Sequence, residues 1–188
     1  VLSYGKALSK IMNEKVVCVS FNIDNTEDLS LHGADKSIII NDTSLSDFKA
    51  KTYSNCISKI AKKEKSKIII LSSSADCRYL APLLAVELDS SYSPNVVDLP
   101  KSCNPLVVKR TCFTNKAFSF SELNSEINII GLSNNAFGVH ENQSETTFEN
   151  EKIELIEDTI KINSTDKITG KVTIADADIV ISGGRGLK

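Results

Sequence analysis

The sequence predicts an α/β fold: a three-layer αβα sandwich with a largely parallel sheet and an antiparallel extension at one edge. Three observations carry this. Residues 16–21 (VVCVSF), 37–41 (SIIIN) and 67–71 (KIIIL) are continuous apolar runs of strand length, the signature of strands covered on both faces. Amphipathic helical patterns stand before and between them. From residue 95 onward short β-type runs follow one another with only turns between, as in an antiparallel edge.

The elements follow in order. The chain opens inside a helix, with Tyr4, Ala7, Leu8, Ile11 and Met12 at helical spacing, and runs into the strands at 16–21 and 37–41. Between 46 and 65 the residues Phe48, Tyr53, Cys56, Ile57, Ile60 and Ala61 approximate a second apolar stripe. Lys59, Lys62, Lys63, Lys65 and Lys67 then read as a solvated face and C-terminal turn rather than a polybasic patch. After the strand at 67–71, the serines Ser72, Ser73 and Ser74 cap a helix over 76–88, with Leu80, Leu83, Leu84 and Leu88 on one side. Pro82 falls in its first two turns, where a missing N–H is best tolerated. Short strands are expected at 95–99, 106–113, 117–121 and 127–132, with Asn115-Lys116 turning a hairpin between the middle two.

The runs at 16–21, 37–41, 67–71 and 127–132 are expected to share one sheet. Residues 138–158 are acidic and polar and read as an exposed excursion leading to 160–162. A boundary near 164–171 divides an N-terminal α/β domain, 1–164, from a linker and the opening strand and loop of a truncated second domain, 165–188. The chain begins inside a helical pattern and stops just after a glycine turn. It is therefore expected to be cut at both ends, with a first strand missing.

Composition excludes several classes. The chain has 188 residues, with 22 Lys+Arg against 24 Asp+Glu and a net charge of −2, so it carries no overall electrostatic footprint for nucleic acid or an anionic membrane. Its apolar runs are far shorter than the roughly 20 residues of a membrane-spanning helix. Cys18, Cys56, Cys77, Cys103 and Cys112 form no CxxC pair and read as reduced, packed thiols, with no disulfide framework and no zinc site. Cys77 differs in following a helix start, where a thiol can be activated, yet no histidine stands near it in sequence. His32 and His140 are far apart and lack partners at metal-ligand spacing, so no metal is expected. There is no Ser/His/Asp or Cys/His constellation, and no catalytic residue is assigned. Without a signal-peptide pattern the chain is expected not to be secreted.

The most informative element is the end. Residues 177–181 (ADIVI) predict a buried strand, followed by the turn Ser182-Gly183-Gly184-Arg185-Gly186. Glycines let backbone N–H groups approach an anion, and a guanidinium among them can pair a phosphate in two places. The spacing fits neither GxGxxG nor the P-loop.

Residues 179–188 (IVISGGRGLK) resemble a signature of the electron transfer flavoprotein alpha subunit, at the start of its flavin-binding domain. Arg78-Tyr79-Leu80-Ala81-Pro82 is similar to that family's Leu-Ala-Pro helix. Residues 107–117 stand where it has Arg-x-x-Tyr-x-Gly-Asn-Ala, with Phe113 and Thr114 in place of the Tyr and Gly. Asn135-Ala136-Phe137 resembles the end of its Arg-x-x-Ala-Phe strand, with Ser133 in place of the Arg. The resemblance runs from about residue 66 to the C-terminus.

It implies an N-terminal domain that packs on an electron transfer flavoprotein beta subunit and supports a separate domain holding most of an FAD. Arg185 would face the flavin, with Ser182, Gly183, Gly184 and Gly186 shaping its loop. The chain alone would bind no FAD. The complex would carry electrons from acyl-CoA dehydrogenase-type donors of fatty acid oxidation to a quinone oxidoreductase-type acceptor. Two other readings stand beside this one: a stand-alone nucleotide-binding module with phosphate at Ser72-Ser73-Ser74, and a purely structural interaction domain.

Overall fold

The computed structural model of the chain describes residues 1–165, 174, 177 and 179–186. It is an α/β structure whose helices and strands alternate through the first half. Helix α1 (Leu2–Met12) buries Tyr4 and Leu8 and ends on Asn13, whose left-handed backbone returns its N–H to the Ser9 carbonyl. Strand β1 (Val17–Phe21), the short helix α2 (Glu27–Leu31) and strand β2 (Lys36–Ile40) follow. Helix α3 (Ala50–Lys63), strand β3 (Ile68–Ser72) and helix α4 (Ala75–Glu87) complete the alternating part. Then come β4 (Ser91–Val96), β5 (Ser102–Cys103), β6 (Leu106–Cys112), β7 (Ala117–Leu123), β8 (Asn128–Leu132) and β9 (Thr147–Asn150).

The expected single sheet is two. One has the order β1-β2-β9, all parallel, with Cys18 opposite Ser37 and Phe21 opposite Ile40. The other has the order β3-β8-β4-β6-β5, with β7 on β6; its β3, β8 and β4 are parallel, and β5, β6 and β7 supply the expected antiparallel extension. Pairing needs neighbouring strands about 4.8 Å apart, and no described strand lies between β1 and β3 to join the two sheets. Among the described residues each of those strands keeps one open edge, and all of their residues are only half-buried, whereas β8 is buried throughout.

The helices nonetheless run across the seam. On one face α1 spans it: a Cβ built on Gly5 would lie 3.7 Å from Val16, at the entry to β1, and 3.7 Å from Ile70 in β3. Tyr4 and Leu8 of α1 pack with Val96, Val108, Ile130 and Leu132 of the second sheet. On the other face α3 and α4 pack against each other. Cys56 and Ile60 of α3 close over Ile38 and Ile40 of the first sheet.

Three further expectations change. The stretch read as an exposed excursion contains β9, which pairs with β2, and its continuation packs Ile153 and Leu155 onto the α3 cluster. The alternating acids hid it: Glu149 meets Lys36 at 2.8 Å and Lys63 at 3.0 Å, Glu151 also pairs with Lys63, and Lys36 meets Glu64 at 2.7 Å. The strand expected at 95–99 is β4, starting at Ser91, because Ser91 and Ser93 interrupt its apolar pattern while the backbone still pairs with β8. The hairpin between β6 and β7 turns through Phe113, Thr114 and Asn115, all with positive φ, and closes from the Lys116 N–H to the Cys112 carbonyl at 3.1 Å. That is a longer turn than the Asn-Lys pair suggested.

Candidate functional site

The sequence-predicted loop stands apart from the core. Ile179, Val180 and Ile181 are 82, 52 and 95% exposed and form no strand, which corrects the buried strand expected there. Apolar residues become a buried strand only by pairing in a sheet, and the described part of this run pairs with none; Asp178 lies outside the described residues. Ser182, Gly183, Gly184, Arg185 and Gly186 are all exposed. A Cβ on Gly184 or Gly186 would meet nothing within 4 Å. The loop therefore presents backbone N–H groups and one guanidinium to open space, and residues 1–165 supply it no wall.

The carboxyl ends of the parallel strands are the other place where α/β sheets hold ligands. At the end of β3 all three serines are engaged. Ser73 donates to the Leu132 carbonyl at 2.6 Å, tying β3 to β8. Ser74 accepts the Cys77 N–H at 3.3 Å as the cap of α4, and Ser72 donates to Ser74 at 3.2 Å. Capping of α4 and the tie to β8 thus engage all three hydroxyls within the fold. At the ends of β1 and β2 the Asn22 side chain donates to the Asp42 carbonyl at 2.9 Å and accepts the Asp42 N–H at 2.8 Å. This too is a structural clasp.

The thiols are free. Burial pushes the Cys18 and Cys56 thiols up, which keeps them protonated at neutral pH. Cys77 Sγ lies 3.4 Å from Ser72 Oγ. The histidines, distant in sequence, meet through one carbonyl: His32 Nδ1 is 3.2 Å from the His140 oxygen, and His140 Nε2 is 3.1 Å from the Phe137 oxygen. Among the described residues no three His, Cys, Asp or Glu side chains gather as a metal site, and no helix is long and apolar enough to cross a membrane. Two shallow clefts of about 220 and 270 Å³ lie between α3 and residues 151–158, lined by Lys49, Thr52 and Asp158 and by Lys59, Lys63 and Glu151.

One surface escaped the sequence reading. On β7, Phe118 and Phe120 are 62 and 57% exposed. Lys109 Nζ sits 4.5 Å from the Phe118 ring centre and Lys101 Nζ 5.1 Å from that of Phe120. The alternation Phe118-Ser119-Phe120-Ser121 was the available signal, since a period of two puts both rings on one face.

Residues 1–158 match the model of the electron transfer flavoprotein domain. The electron transfer flavoprotein subunit alpha of Bacillus subtilis (strain 168) is 22% identical over 192 aligned positions, which cover 98% of this chain and 56% of the relative. The chain thus spans little more than half the length of that relative.

Proposed function

The chain belongs to the electron transfer flavoprotein family, and from that premise we propose that it is the N-terminal α/β domain of an alpha subunit, running at 165–188 into the start of a flavin-binding domain. It packs on a beta subunit and supports the flavin domain, and the complex passes electrons from acyl-CoA dehydrogenase-type donors to a quinone oxidoreductase-type acceptor. The compartment is the bacterial cytoplasm or the mitochondrial matrix. One observation carries the reading: the family match covers residues 1–158, and an exposed, donor-bearing glycine loop stands beyond it at 182–186.

The residues present suit one side of an FAD. When bound, FAD takes up and gives up electrons on its own ring system. Arg185 offers charge and a planar fork to an anionic group, while the unencumbered Gly184 and Gly186 leave space for close approach. The remaining grip on the flavin would fall to the rest of the flavin-binding domain. The chain itself supplies orientation and contributes no catalytic side chain.

The test is co-expression of a chain extended past Lys188 with the beta subunit, followed by the flavin content of the purified complex. A stable yellow heterodimer is expected. Absence of association, or binding of AMP or ATP to this chain alone in calorimetry, would replace the reading with one of the other two.

A further inference from the structure

Strand β7 is a long edge left unguarded. It pairs with β6 without a break, from Leu123 opposite Leu106 to Ala117 opposite Cys112, and with no other described strand. Edge strands are usually blunted by a proline, a bulge or brevity; β7 has seven residues, no proline and no shift in its register. Burial alternates along it: Phe118, Phe120 and Glu122 are exposed, Ala117, Ser119 and Ser121 are half-buried and Leu123 is buried. One face therefore carries two rings and an acid, and the exposed Lys116 stands two positions before the first ring.

At every second position the chain reads Lys116, Phe118, Phe120, Glu122, a cation and an acid on either side of two rings. That order is self-complementary when the strand is reversed. In an antiparallel pair of two copies with Ser119 opposite Ser119, Lys116 of each copy stands opposite Glu122 of the other, and Phe118 opposite Phe120. On the other face only Ala117 and Ser121 oppose each other. A slip of two residues either way puts Lys116 opposite Phe120 or Asn124, and Glu122 opposite Thr114 or Phe118. Among the described residues neither Lys116 nor Glu122 is held in an ion pair.

We propose that two copies of this chain associate edge to edge through β7, antiparallel about Ser119, so that the second sheet of each continues into the other across a two-fold axis. The inference stands on β7 and does not depend on the function proposed above. Main-chain hydrogen bonds across the joined edges supply affinity, and the opposed side chains fix the register. Lys109 and Lys101 lie over Phe118 and Phe120, so each ring brings a cation with it. Those cations have the same sign in both copies, and association is therefore expected at about 0.15 M salt, where charges more than about 8 Å apart are screened, rather than at low salt.

The experiment follows the mass of this chain by sedimentation and light scattering over a concentration series at that salt, against the 20.5 kDa of one copy. The wild type is expected to reach twice that mass. Glu122→Lys and Lys116→Glu each oppose like charges across the axis and are expected to weaken the dimer by about tenfold or more. The two single variants mixed together, and the double variant Lys116→Glu/Glu122→Lys, oppose unlike charges again and are expected to associate like the wild type. Both positions are exposed, so thermal midpoints are expected to stay unchanged. Phe118→Ser/Phe120→Ser is expected to stay monomeric in every mixture. A wild type that remains monomeric overturns the inference, and so does a dimer that the single reversals leave intact, or one whose loss neither mixing nor the double variant repairs.

Discussion

Lys36 of β2 and Glu149 of β9 meet at 2.8 Å, and this pair fastens the late strand to the first sheet. Hydrogen bonds from Lys36 and then Lys63 hold the Glu149 carboxyl down at about 2, below its ordinary 4.5. A carboxyl depressed on folding stabilises the structure above its ordinary value, and that contribution is lost as pH falls toward the folded one. Acidification from pH 4.5 to 2 should therefore loosen β9 before the cores fail. Hydrogen exchange, normalised for intrinsic rate, reads this at the Thr147 and Glu151 amides, which bond the Asp35 and Ile39 carbonyls. Glu149→Gln should loosen the same amides at neutral pH; unchanged protection in that variant would mean that backbone pairing alone holds the strand.

Gly131, in β8, sits where even a Cβ would be tight. A Cβ there would lie 3.0 Å from the Tyr92 hydroxyl and 3.2 Å from the Pro94 backbone. Gly131→Ala should cost about 1–3 kcal/mol in chemical denaturation, the usual range for overpacking. Adding Tyr92→Phe should recover only part of this, since the Pro94 contact remains. A Gly131→Ala midpoint equal to wild type would place β4 and β8 further apart than described.

Arg185→Ala should leave the stability of this domain unchanged to within about 0.5 kcal/mol, as for exposed substitutions generally, because Arg185 is exposed. In the heterodimer of an extended chain it should weaken FAD retention or lower the flavin potential, and Arg185→Lys should restore part of the loss, keeping the charge without the planar fork. Flavin content and potential both unchanged in the Ala variant would reduce the loop to a turn.

The sequence made the central parallel strands legible because β2, β3 and β8 are short runs dense in Ile and Leu, the composition of strands shielded by helices. It could not show the seam. Whether β1 and β3 share a sheet depends on what lies between them, and nothing in VCVSF or IIILS encodes that. Strand β9 was hidden for the opposite reason, its acids answering lysines on β2 and α3 that only the fold brings near. At the candidate site the capping role of Ser74 was readable from its place before a helix. The apolar character of 179–181 misled, since hydropathy without a partner strand does not bury a chain.

In the function proposed here, this chain holds one loop of a flavin site that further sequence and a beta subunit would complete. Two samples test it side by side: this chain, and the same chain extended past Lys188, each co-purified with beta subunit and scanned across the flavin absorbance band. One charge-assisted contact, on the order of 1.5–3 kcal/mol, is too little to offset the cost of association. A colourless sample is therefore expected for this chain and stoichiometric flavin, reducible and reoxidisable, for the extended one. Stoichiometric flavin on the complex of the unextended chain, or none on that of the extended chain, would overturn the proposal.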